Sequence, residues 1–318
     1  MKTAAVEPKP VPSPEAITGL TATIDSLIED RLDRLPDGRA LRDAMKYAAL
    51  GPGKRVRPVL AMRCAEAAGG RHGLSPGAAH EAAQNAAVAV ELLHAFSLVH
   101  DDLPALDDDD LRRGRPTLHV HAGEAMAVLA GDALLNASFL VLLRGESDAG
   151  VGGRLARELA EGTHGMVAGQ VFDTLGGVPE EEAGGGDEAA LRRIHELKTG
   201  ALLRAACRMG AIAGLAAAGE SGDGRTLDAI TRYSEAVGLI FQIVDDLIDV
   251  EQSAEHTGKR TGKDEGAGKM TFPKVIGVEA SRRELGRLED EALESAASIG
   301  ASAEPLVSIV RWLTVRTR

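Results

Sequence analysis

Residues 88–110 read VAVELLHAFSLVHDDLPALDDDD. Before Asp101 the stretch is almost wholly apolar, and after it the stretch is acidic. The apolar part lacks period-2 alternation and reads as a buried helix. Pro104 cannot continue that helix, so it ends or kinks just after Asp102. Two carboxylates then fall at a helix C-terminus, where the macrodipole already disfavours negative charge. Local stability would place lysine or arginine there, so the acids invite a bound cation. The stretch FQIVDDLIDV at 241–250 repeats the arrangement. At about 100° per residue, Asp245 and Asp249 lie roughly 40° apart on the wheel, and Asp246 and Asp249 roughly 60°. Oxygen donors without histidine or cysteine suit Mg²⁺, which takes one or two carboxylates plus water and phosphate oxygens. Two acidic helices could therefore face each other across a diphosphate. Either cluster alone also fits a solvated acidic face, a reading that two clusters after apolar helix sequence weaken. An EF-hand is excluded, because the residues after Asp107 lack its ligand spacing, glycine and closing glutamate.

Working outward, Ala/Leu/Glu/Arg segments recur and strand-like alternation is scarce. Helices are expected near Ser13–Leu35, Arg39–Ala49, Pro58–Ala68, Gly77–Asp102, Glu124–Leu142, Val151–His164, Asp187–Ala218, Thr226–Glu251, Thr271–Ser298 and Ala303–Thr317. No gap is long enough for a clear interdomain linker. The expectation is one all-α helical bundle over 15–318, preceded by a disordered tail over 1–14 carrying Pro8, Pro10, Pro12 and Pro14.

The chain has 318 residues, with 48 acidic side chains against 36 lysines and arginines and a formal net charge of -12. Such a balance excludes broad nucleic-acid binding, which needs a basic surface. Cys64 and Cys207 are too few and too distant in sequence for a zinc knuckle or disulfide framework. Their rarity suits a reducing compartment, and a cytoplasmic location is expected. The N-terminal residues lack the apolar core of a signal peptide. The most apolar stretch, Ala125–Leu143, is interrupted by Asp132 and Asn136 and reads as a buried helix, not a membrane span.

Cations stand in short groups beside turns. Lys54, Arg55 and Arg57 lie at a loop-to-helix junction, where free N–H groups also favour anions. Arg112, Arg113 and Arg115 follow the first acidic cluster, Lys198 precedes Gly200 in a helix, and Lys259, Lys263 and Lys269 lie in a polar loop. Arginine offers bidentate contacts to phosphate, and lysine a flexible point charge.

These pieces, in this order, resemble the trans-isoprenyl diphosphate synthases of the bacterial farnesyl/geranylgeranyl type. The resemblance runs from about Tyr47 to Glu279. It rests on GKRVRP at 53–58, ELLHAFSLVHDDLPALDDDDLRRGRPT at 91–117, GMVAGQVFD at 165–173, KTGAL at 198–202, FQIVDDLIDV, GKRTGKD and KMTFP. It implies an all-helical bundle around a deep central cavity, a homodimer, and head-to-tail condensation of isopentenyl diphosphate with an allylic diphosphate (dimethylallyl, geranyl or farnesyl). By the same resemblance Asp101, Asp102 and Asp107 bind Mg²⁺ from one wall, and Asp245, assisted by Asp246 and Asp249, from the other. Lys54, Arg57, His94 and Arg113 would hold isopentenyl diphosphate, and Arg112, Lys198 and Lys259 the allylic diphosphate. Thr199 and Gln242 would lie near the carbocation, Gln170 and Asp173 would support the site, and Lys269 would help close the loop. His94 precedes Asp101 by nearly two helical turns and shares its face.

In this family the residues four and five before the first aspartate often set product length; here they are Ser97 and Phe96. Bulky Phe96 favours farnesyl diphosphate (C15), with geranylgeranyl diphosphate (C20) as the alternative. The helical wheel itself puts Ser97, not Phe96, on the face of Asp101. Two rivals remain. A terpene cyclase would line its cavity with aromatics, and this chain has one tryptophan, two tyrosines and five phenylalanines. A noncatalytic partner subunit of a heteromeric synthase typically lacks the aspartates, which this chain keeps.

Overall fold

The computed structural model describes residues 13–36, 38–144, 149–179, 181, 186–255 and 270–315. Helix α1 (Glu15–Asp33) buries Ile17, Leu20, Ile24, Ile28 and Leu32, a stripe at helical spacing that lays it against the bundle. Helices α2 (Arg39–Ala49) and α3 (Val56–Gly70) follow. Ser75 caps α4 (Pro76–Asp101) by accepting a hydrogen bond from Ala78 N, and Pro76 opens the helix, where a missing N–H costs nothing. A short hairpin of β1 (Leu111–Arg112) and β2 (Arg115–Pro116) leads to α5 (Leu118–Ala122), α6 (Glu124–Leu143) and α7 (Ala149–Leu175). Then come α8 (Asp187–His195), a π-helical turn (Glu196–Gly200), α9 (Ala201–Ala217), α10 (Gly224–Glu255), α11 (Phe272–Val275), α12 (Val278–Ile299) and α13 (Glu304–Val315).

The all-α expectation holds, with three differences that have physical reasons. Helix α7 runs on through Gly165 and Gly169, because these glycines face α9 and the π turn and do not break the helix. The helix expected over Asp187–Ala218 is interrupted by the π turn. The helix expected over Thr271–Ser298 splits at Gly277, whose φ of 86° is left-handed.

The core is centred on α3, α4 and α9. A Cβ at Gly210 would strike the Ala61 carbonyl, so glycine there permits the close approach of α3 and α9. Cys64 and Cys207, distant in sequence, meet in this core as fully buried free thiols. The stretches Pro76–Asp101, Glu124–Leu143 and Asp187–Ala217 are long and apolar enough to cross a bilayer. The first and third bury 61% and 78% of their most apolar window inside the bundle, as core helices do. The second leaves an outward face, with Val128, Leu129 and Leu143 exposed. The bundle has two ends. At its mouth lie the C-terminus of α4, the N-terminus of α3, the hairpin and the π turn. At its base, His72 reaches Asp223 across the turns that precede α4 and α10.

Candidate active site

Helix α4 ends at Asp101, and the chain folds back so that Asp107 N donates to the Asp101 carbonyl at 2.9 Å. This return brings Asp107 beside Asp101. Burial, opposed by Lys198 and reinforced by Asp107 and Asp102, pushes the Asp101 carboxyl up to about 6. Asp102 is buried and takes a bidentate grip from Arg112, with Nη2–Oδ1 at 2.6 Å and Nε–Oδ2 at 3.0 Å. The hairpin makes this possible. Its two central residues, Arg113 (φ 52°) and Gly114 (φ 76°), take the left-handed backbone of a type I′ turn and send Arg112 back toward α4. Burial works against the charge of Arg112, but Asp102 outweighs it and raises the pKa.

The facing wall comes from α7, the π turn and α10. Lys198 Nζ pairs with Asp173 at 2.5 Å, and Thr199 Oγ1 donates to Gln242 Oε1 at 2.7 Å. A π turn widens the helix by one residue and commonly marks a functional site. Here it presents Lys198 and Thr199 successively to α7 and α10. Gly169 lies against this turn: a Cβ there would overlap the Lys198 backbone. Gln170 Nε2 donates to Thr174 Oγ1 at 3.2 Å, so Gln170 supports α7 itself. On α10, Asp246 Oδ2 accepts from Phe272 N at 2.8 Å, which tethers α11. Asp249 is exposed.

A cavity of about 480 Å³ adjoins these walls. Lys54, Arg57, His94, Arg113, Phe241, Asp245 and Trp312 line it. Arg57 Nη1 donates to His94 Nε2 at 3.2 Å, while buried Arg57 Nε has no hydrogen-bond partner among the described residues. Desolvation, reinforced by Arg57, Arg113, Arg112 and Arg55, holds His94 well below the usual imidazole pKa, so it is neutral. Burial likewise lowers the pKa of Arg57 and Arg113. A cluster of cations that depresses its own members is short of an anion. Arg113 Nη1 donates to the Pro52 carbonyl at 2.5 Å and so joins the hairpin to the loop before α3.

The structure thus brings together Lys54, Arg57, His94, Arg113 and Asp245 in one cavity, and Lys198, Thr199, Asp173 and Gln242 in one contact network. Lys259 and Lys269 lie outside the described residues. Phe96 packs edge-on to His100, with ring centroids 4.8 Å apart, and Ser97 Oγ donates to the His94 carbonyl at 3.0 Å. The sequence reading groups Arg55 with the anion-facing cations, and His195 and Trp312 escape it. Arg55, only 6% exposed and in left-handed backbone (φ 52°), donates to Asp25 at 2.6 Å, Glu91 at 2.9 Å and the Gly51 carbonyl at 2.9 Å. Its donors are spent inside the protein, so it holds the loop in place and does not reach a ligand. His195 contacts Gln242, and burial pushes its pKa down to about 4. Trp312 comes from the last helix. Glu91, a lone acid in an apolar helix, was the one available signal for the first; the other two carried none.

Among the described residues no three histidines, cysteines or carboxylates converge into a ready metal cage. The donors nonetheless fit Mg²⁺. They are hard oxygens, and the raised Asp101 shows carboxylates desolvated and crowded enough to gain from a cation.

A helical bundle with a buried acidic cluster at the end of α4 and a basic cavity edged by Asp245 fits an enzyme that handles diphosphate esters. The chain belongs to the polyprenyl synthetase family, whose sequence model matches residues 38–307. It is 40% identical over 289 residues to geranylgeranyl pyrophosphate synthase 11, chloroplastic, of Arabidopsis thaliana, covering 89% of this chain and 76% of that one. Geranylgeranyl pyrophosphate synthase 12, chloroplastic, of the same plant is 41% identical over 287 residues, covering 88% and 75%. The solved structure of an FPP/GFPP synthase from Zymomonas mobilis superposes with a TM-score of 0.76 at 34% identity, covering 94% of this chain and 97% of that one. The enzyme is a short-chain trans-prenyltransferase. The two Arabidopsis thaliana relatives are named as geranylgeranyl synthases and the Zymomonas mobilis neighbour as an FPP/GFPP synthase, which backs the C20 alternative better than C15. One sequence expectation is corrected. The same two plant relatives are named as chloroplastic, so the cytoplasmic location is withdrawn; two buried thiols report no particular compartment.

Proposed function

We propose that the enzyme condenses isopentenyl diphosphate with an allylic diphosphate to give mainly geranylgeranyl diphosphate. The observation that carries this reading is the basic cavity, with its mutually depressed cations and Asp245 at its edge. Lys54, Arg57 and Arg113 bind the diphosphate of the isopentenyl substrate, and neutral His94 holds the Arg57 guanidinium in place. Asp101, Asp102 and Asp107 on one wall and Asp245, Asp246 and Asp249 on the other hold Mg²⁺. When bound, Mg²⁺ supplies electrostatic stabilisation of the charge that develops on the leaving diphosphate.

The chain's own residues do the rest. Arg112, kept charged by Asp102, and Lys198, paired with Asp173, add positive charge beside the allylic diphosphate, where it stabilises the developing negative charge. Thr199 and Gln242 present oxygens beside the cation left by C–O cleavage. The isopentenyl alkene then attacks that cation, and a proton leaves to the departing diphosphate. Water must be kept out, since it would trap the cation. Ser97 is small and shares the face of Asp101, which leaves room for a tail beyond C15. The catalytic domain extends over 15–318. Exposed Val128, Leu129 and Leu143 on α6 and Val167, Val171 and Leu175 on α7 support a homodimer through that face. Product analysis with isopentenyl diphosphate, Mg²⁺ and each of the C5, C10 and C15 primers tests the reading. C20 should dominate from every primer; a product that stops at C15 overturns it. Light scattering of the purified enzyme tests the dimer.

A further inference from the structure

Trp312 is the only tryptophan in the chain, and it stands in the last helix, far in sequence from every motif of the site. It is 6% exposed and lines the basic cavity together with Arg57 and His94. Lys54 Nζ lies over the ring, 5.0 Å from its centroid. Helix α13 is fixed by its core side, where Leu306, Ile309, Val310 and Leu313 are buried. Tyr233 on α10 adds a hydrogen bond from its hydroxyl to the Leu306 carbonyl at 3.0 Å. The indole is therefore held by the fold independently of Lys54.

Lys54 is exposed and sits on a flexible four-carbon stem in the loop before α3. A side chain of that length has many rotamers, and each contact that orders it before binding lowers the entropy cost of binding. An aromatic face attracts the ammonium without consuming any of its three N–H donors. The ring also gives a polar cavity one apolar wall.

We propose that Trp312 is a positioning residue of the isopentenyl diphosphate site, holding Lys54 over the cavity for the substrate diphosphate. This rests on the assignment of that cavity to isopentenyl diphosphate. The last helix thereby takes part in substrate binding.

The test is steady-state kinetics at saturating allylic primer. Trp312→Leu should raise KM for isopentenyl diphosphate about three- to fivefold. It should leave kcat and the allylic KM within about twofold, whereas Trp312→Phe should change little. In a Lys54→Gln background, Trp312→Leu should add nothing further. An equal rise in KM with and without Lys54, or a parallel rise for both substrates, overturns the proposal. If Lys54→Gln itself leaves the isopentenyl KM unchanged, the cavity assignment fails instead. Should Trp312→Leu not fold, the unmodified enzyme still decides. Its single-tryptophan emission should change saturably on titration with isopentenyl diphosphate and stay flat in Lys54→Gln. A flat signal in the unmodified enzyme at concentrations that saturate turnover overturns it as well.

Discussion

Asp101 at the mouth and Asp223 at the base are both aspartates at helix ends, and their surroundings drive them in opposite directions. Asp101 closes α4, against the negative end of the helix dipole, and is pushed up to about 6 by burial and by Asp107 and Asp102. Asp223 stands just before α10, at the positive end. It accepts from Thr226 Oγ1 at 2.6 Å, Thr226 N at 3.1 Å and His72 Nε2 at 3.0 Å. The Thr226 hydroxyl above all pulls its pKa down to about 2. The base is arranged as stability alone would arrange it. The mouth leaves a carboxylate at odds with its surroundings, and a diphosphate with its cations can use what the fold does not satisfy.

The most severe way to test that contrast is to remove acids at the mouth. Asp101→Ala and Asp245→Ala should each lower the condensation rate on the order of a thousandfold or more, measured at saturating Mg²⁺ and both substrates. Stability should move the other way in Mg²⁺-free protein. The folded state binds the Asp101 proton more tightly than the unfolded chain does. Its contribution is therefore most favourable below the ordinary aspartate pKa and is lost as pH rises through about 6. Asp101→Asn should raise Tm above pH 6 and match the unmodified protein near pH 4. A lower Tm at neutral pH would show that Asp101 is structural.

The contrast is not a simple division into strained mouth and relaxed base, and Arg55 is where it can be broken. Glu91 is an acid at the mouth, with its side chain only 7% exposed, yet Arg55 pairs with it at 2.9 Å. Arg55→Met leaves Glu91 buried without its partner and should cost about 3–5 kcal/mol in urea unfolding. It also frees the loop carrying Lys54 and Arg57, so the KM for isopentenyl diphosphate should rise more than the allylic KM. A milder test lies at the base. Asp223→Ala should cost about 1 kcal/mol at pH 7, mostly as a lost helix cap. The stability that Asp223 contributes is present above the ordinary aspartate pKa and lost as pH falls toward 2. The gap between the two proteins should therefore close over that acid range.

How much of this the sequence reveals differs between the two ends. The acidic clusters at the mouth are legible because they violate local preference: carboxylates at a helix C-terminus and three on one helix face. The base obeys every preference and so carries no mark; nothing in the letters couples His72 to Asp223. Positions that depend on packing are also silent. The π turn at Glu196–Gly200 arises where Gly169 lets α7 come close, and no periodicity in residues 187–217 announces it. Trp312 meets Lys54 only because α13 folds back over the mouth. Cys64 and Cys207 are set together by the crossing of α3 and α9, whose close contact depends on Gly210.

Between the two ends runs α4, and its wall offers the gentlest perturbation, one that changes product and not rate. Ser97 and Asp101 are four residues apart, one above the other on the same face, about one helical turn in depth. Phe96 lies one residue further from the mouth and is turned toward His100, whose Nε2 contacts the Val128 carbonyl of α6 at 3.2 Å. On the proposed reading, a growing tail entering beside Asp101 meets the serine first and the phenylalanine deeper and to one side. That order accounts for a chain that carries a bulky residue near the aspartates and still resembles C20 synthases. Ser97→Phe should block the passage early and shift the product to C15. Phe96→Ala should lower the floor and add products longer than C20. Both variants should keep kcat within about threefold, since neither side chain itself holds diphosphate. Chromatography of the dephosphorylated products reads the result. Unchanged product from Ser97→Phe would place the tail along another face of α4, and unchanged product from Phe96→Ala would leave that ring as packing between α4 and α6.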